Sequence, residues 1–112
     1  MPTVPAAGAP PIDDVFGVIA HPVRRRLLES LARGEQRVTD LATPLPVSRS
    51  AVSQHLRVMR DVGVVAERRD GRERYYRLRR APLRDVESWL ARIDRFWADR
   101  LRRLGEHLEA RP

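Results

Sequence analysis

Residues 47–65 read VSRSAVSQHLRVMRDVGVV, and the fold turns on how these side chains divide. At about 100° per residue, Val52, His55, Leu56 and Met59 gather on one side of a helix. Ser50, Ser53, Gln54 and Arg57 fall on the opposite side, with Arg49 and Arg60 flanking it. Ser48 suits the N-cap and Gly63 the stop, which predicts a helix over residues 48–61. The polar side has no carboxylate before Asp61. Its side chains are those that read base edges: arginine pairs with guanine, glutamine with adenine, serine with several acceptors. A solvated helix face can have the same composition, so the neighbouring segments decide.

Upstream, RVTDLATPLP (residues 37–46) predicts a short helix with Val38, Leu41 and Ala42 inward, ended by Pro44 and Pro46. Before it, PVRRRLLESLARG carries an apolar stripe of Val23, Leu27, Leu28 and Leu31. Pro22 stands at its first position and Gly34 at its end. Arg24, Arg25 and Arg26 fall in its first turn, where the helix dipole disfavours cations. The pattern first turns helical at Ile12, with Asp13 and Asp14 near the start and Val15, Phe16 and Ile19 on one face. His21 precedes Pro22 and is expected to cap or pack, and His55 to pack inward.

Downstream, VVAERRDGRERYYRL is a hairpin signal around Asp70-Gly71. Arg68, Arg69, Arg72 and Arg74 cluster near its tip, Arg72 as the candidate for a minor groove and Asp70 as a turn former. A short helix, a tight turn, a polar helix and a basic hairpin make a winged helix-turn-helix. The expected class is therefore α+β, mostly α, with a two-stranded wing over residues 64–78 followed by a long C-terminal helix. In that helix Leu83, Val86, Leu90, Ile93, Trp97, Leu101, Leu104 and Leu108 recur at spacings of three and four.

Composition agrees. The 112 residues fit one modest core and carry a net charge of +7, and all 22 basic residues are arginine. Guanidinium forks suit phosphate and guanine, and the surplus points to a polyanion. There is no cysteine, which excludes disulfides, thiolate metal sites and thiol nucleophiles. No serine-histidine-carboxylate grouping, phosphate-cradling glycine loop or metal cluster suggests an enzyme. MPTVPAAGAPP lacks the pattern of a signal peptide, and no run spans a membrane. We expect a cytoplasmic protein in three parts: a flexible Pro/Ala-rich arm (1–11), a DNA-binding core (12–80) and a C-terminal dimerisation helix (81–112).

Residues 12–78 resemble the ArsR family of bacterial transcriptional regulators, through HPVRRRLLESL, DLA, the serine-flanked SAVSQHLRVMRDVGVV and RRDGRERYYRL. The last helix resembles it more loosely. The resemblance implies a homodimeric repressor on an imperfect inverted repeat in double-stranded DNA, released by a signal that is often a metal. DNA contacts then fall to Ser48, Arg49, Ser50, Ser53, Gln54, Arg57 and Arg60 of the recognition helix, and to Arg68, Arg69, Arg72 and Arg74 of the wing. The apolar excess of the last helix predicts that Leu90, Ile93, Trp97, Leu101 and Leu104 pair with a second copy, joined by Val15, Phe16 and Ile19.

The resemblance also says where sensing chemistry is lost. Many relatives bind metal through two cysteines in the helix before the recognition helix; here Arg37 and Thr39 occupy that segment. Other relatives use Asp and His ligands on the terminal helix. This chain has Asp94, Asp99, Glu106, His107 and Glu109 there, without a clear ligand pair. No metal or cofactor is expected. A small organic effector, a partner protein or no effector at all remain as regulatory routes. An architectural DNA binder and a protein-interaction scaffold are the rival functions.

Overall fold

The computed structural model describes residues 14–109. The expected arm over residues 1–11 lies outside them, as do Ile12 and Asp13. Eight elements follow in order: α1 (Val15–Ile19), α2 (Pro22–Leu31), β1 (Gln36–Arg37), α3 (Val38–Ala42), α4 (Arg49–Val62), β2 (Val65–Asp70), β3 (Glu73–Leu78) and α5 (Leu83–Glu109).

The helix ends follow local chemistry. Asp14 caps α1 by accepting from the Gly17 amide at 2.9 Å. His21 caps α2, its Nδ1 accepting from the Val23 amide at 3.2 Å, with Pro22 in the first turn. Ser48 caps α4, its Oγ accepting from the Ala51 amide at 3.0 Å. Gly63 closes α4 in the left-handed region at φ 90°, where a β-carbon would crowd the backbone. Gly63→Ala is therefore expected to cost about 1–2 kcal/mol, read as a lower urea midpoint with an unchanged slope.

The sheet has three strands in the order β1-β3-β2, all antiparallel. The wing itself is the β2–β3 hairpin. The additional strand, β1, pairs Gln36 with Tyr76 and Arg37 with Tyr75, where residue spacing predicts only the start of a helix. Gly71 opens the turn at φ 63° and Arg72 follows without positive φ, the glycine-first pattern of a type II′ hairpin. Gly71-Arg72 is thus the central pair, one residue beyond the expected Asp70-Gly71, and Asp70 ends β2 opposite Glu73.

A single core joins these elements. Leu27 and Leu31 of α2, Val38 and Leu41 of α3, and Val52, Leu56 and Met59 of α4 meet Val64, Val65 and Tyr76. Val15 belongs here too: it is 4% exposed, which corrects its assignment to a subunit interface. A five-residue helix shows too little periodicity to separate an inner from an outer face. Phe16 and Ile19 are half-buried.

Helix α5 behaves differently. Leu83 and Val86 lie partly buried against the core, Phe16 meets Trp89 edge to face at 5.8 Å, and Ile93 is half-buried. Beyond that start the same stripe is uncovered, with Trp97 55%, Leu101 63% and Leu104 54% exposed. None of its 27 residues is fully buried.

Candidate nucleic-acid interface

Helix α3, the turn with Pro44 and Pro46, and helix α4 form the helix-turn-helix, and β2–β3 folds back beside α4. Arg49, Ser50, Gln54, Arg57 and Arg60 are exposed on α4, and Ser48 at its start. Ser50, Gln54 and Arg57 lie close together around the outermost line of the helix. Asp61 ends that line, also exposed. Spacing assigns Ser53 to the same face, but Ser53 is 8% exposed. It stands about 100° from Val52, on the flank covered by the hairpin, and its Oγ accepts from the Arg74 guanidinium at 3.0 Å.

Strand alternation sorts the wing arginines onto two faces. Arg69 and Arg74 are opposed on the face that also carries Glu67 and the buried Tyr76. Arg68 and Tyr75 share the other face. There Arg68 donates to both Glu35 oxygens, at 3.2 and 2.7 Å, and lies 4.5 Å over the Tyr75 ring. Those charge-assisted bonds hold the Glu35 carboxyl below its usual range and push the Arg68 guanidinium up. Arg74 is turned inward to Ser53 and lies 3.8 Å from Glu67. Arg68 and Arg74, both expected DNA contacts, therefore each have a partner within the fold. Arg72 is exposed at the hairpin tip.

His55 is half-buried on the inner flank of α4, 4.4 Å from the His21 ring, and its Nδ1 accepts from Arg24 Nε at 3.1 Å. That bond needs an unprotonated Nδ1. Burial first, then the neighbouring His21 and Arg24, push the His55 pKa below 6.5. The unfolded chain then takes up the proton first, so stability is fully present above about pH 6.5 and is lost as pH falls below it. Denaturant midpoints between pH 7.5 and 5 are expected to fall in the parent and to flatten in His55→Gln. Equal slopes would remove His55 as the cause. Arg25, meanwhile, donates to the Ile19 carbonyl at 2.6 Å, at the negative end of α1.

Among the described residues no group of three or more His, Asp or Glu converges as metal ligands, and no helix is long and apolar enough to cross a membrane. Arg37 is paired with Asp40 at 3.1 Å.

These features define a winged helix-turn-helix with a polar recognition helix and an arginine at the wing tip. Residues 21–67 match the model of the bacterial regulatory protein family arsR. The HTH-type transcriptional regulator Rv2034 of Mycobacterium tuberculosis is 41% identical over 85 residues, covering 76% of this chain and 77% of that protein. The transcriptional repressor SdpR of Bacillus subtilis is 30% identical over 79 residues, covering 70% and 88%. An ArsR-like transcriptional regulator from Rhodococcus sp. RHA1 superposes with a TM-score of 0.71 at 31% identity, over 97% of this chain and all of that one. The chain belongs to the arsR family of bacterial regulatory proteins, and it is a DNA-binding transcriptional regulator. The family and these relatives are regulators, not enzymes.

Proposed function

We propose that two copies of the chain, joined through α5, set their α4 helices into successive major grooves of an inverted-repeat operator and repress the adjacent promoter, acting in the cytoplasm. The observation that carries this is the outward line of Ser50, Gln54 and Arg57 on α4, exposed and without a carboxylate until Asp61. Arg57 and Gln54 would read base edges in the major groove. Arg49 and Ser48, at the positive end of α4, would meet a phosphate. Arg72 at the wing tip would enter the neighbouring minor groove or meet its backbone. No metal or cofactor takes part in this reading.

Selection of bound duplexes from random DNA tests it. The expected product is an inverted repeat whose half-sites lie about one turn apart, roughly 34–36 Å. Enrichment without a shared sequence would instead make the protein architectural, and no enrichment would make it a protein-interaction scaffold. Arg72→Ala is expected to weaken selected and random duplexes by similar factors, and to lower the salt dependence by about one phosphate per subunit. A loss confined to the selected site would assign Arg72 to base readout.

A further inference from the structure

Glu67 draws together the recognition helix and the wing. It lies on the α4-facing side of β2, and its side chain is 15% exposed. Its Oε2 accepts from the Tyr76 hydroxyl at 2.7 Å and lies 3.8 Å from Arg74 Nη1. Its Oε1 is 3.7 Å from Arg60 Nη1 and 3.8 Å from Arg69 Nε. Three guanidiniums from α4, β2 and β3 thus surround one carboxylate. Two of these three distances involve groups at least 40% exposed, so each pair alone is weak. Together they form a network around a sheltered charge. Arg74 extends it to Ser53, one residue before Gln54. Tyr76 is fully buried, and burial together with the Glu67 bond pushes its phenol up to about 12. The hydroxyl therefore remains a donor at any physiological pH.

We infer that Glu67 is a positioning residue for DNA recognition. It fixes the wing against α4, and its charge offsets Arg60, Arg69 and Arg74, whose guanidiniums would otherwise favour indiscriminate phosphate contact. The inference rests on the proposed DNA-reading role of α4. Its physical basis is charge balance. Glu67 offsets three cations, of which Arg60 also lies 3.5 Å from Asp61. Without the Glu67 charge they repel one another, and Arg69 and Arg60, the more exposed two, are freer to reach outward. Outward arginines would bind any duplex through its backbone, which carries no sequence information. A wing no longer clamped to α4 would also lose the paired placement that only a correct site rewards.

Glu67→Gln tests this, because glutamine keeps the volume and an acceptor for Tyr76 but removes the charge. Binding would be measured by fluorescence anisotropy on a selected site and on random duplex across a salt series, with thermal melts alongside. On random duplex, the slope of log affinity against log salt is expected to steepen by about one for each phosphate gained. The ratio of selected-site to random affinity is expected to fall about tenfold. Glu67→Asp keeps the charge and is expected to stay near the parent slope. If the parent discriminates and Glu67→Gln matches it in slope and ratio, Glu67 only braces the fold, whatever its melting temperature, and the inference is overturned. Equal changes in Glu67→Asp and Glu67→Gln would assign the effect to shape rather than charge and would also overturn it. A parent that prefers no sequence would instead remove the DNA-reading role on which the inference rests.

Discussion

Arg57→Ala is expected to lose at least about thirtyfold in operator affinity while keeping most of its affinity for random duplex. A bidentate arginine contact to guanine contributes about 1–3 kcal/mol. A twofold-symmetric dimer would lose it in both half-sites, about 2–6 kcal/mol if the two sites are independent. Arg57 is well placed for such a contact. It is exposed near the middle of the outward line of α4, and it takes part in none of the ion pairs that hold Arg60 nearby. Gln54→Ala should have a smaller effect of the same kind, at an adenine position. The measurement is anisotropy on both duplexes at one salt concentration, followed by repeat selection with the variant. Tolerance should appear at one base pair per half-site. Equal losses on operator and random DNA would mean that Arg57 touches only phosphate, and the groove assignment would then have to move to another face.

The same helix shows what residue order makes legible. Ser48 and Gly63 act locally, through a side-chain cap and a left-handed stop, so both ends of α4 can be read without the rest of the chain. Ser53 cannot be placed that way. It lies on the border between faces, and only the hairpin packed on that flank decides that it is buried. The wing divides similarly. Period-two alternation separates Arg68 from Arg69 and Arg74, but their ion partners, Glu35 and Glu67, depend on tertiary placement. Strand β1 has two residues and exists only by pairing with β3. Val15 has nothing in its short helix to mark it as core. Glu67 reads as one acid among arginines, and its four partners come together only when α4, β2 and β3 meet.

Trp97→Ala is expected to weaken self-association by about a thousandfold. The stripe of α5 begins on the protein's own core, at Leu83 and Val86, and continues through Leu90, Trp97, Leu101 and Leu104, which stand exposed among the described residues. An apolar surface that runs on from a packed core into solvent costs too much to leave open. The proposed second copy would cover this surface and would also supply the second recognition helix. In a twofold interface each substitution counts twice. Truncating a central tryptophan commonly costs 2 kcal/mol or more, so the pair would lose about 4 kcal/mol. Because Trp97 is 55% exposed within its own subunit, the isolated fold should barely change. Association should fail without unfolding. Sedimentation equilibrium would show monomers at micromolar concentration with an unaltered circular dichroism spectrum, and operator binding would fall toward that of a single half-site. A Trp97→Ala protein that remains dimeric at nanomolar concentration would place the twofold axis elsewhere, and the half-site spacing would have to be set by a different surface.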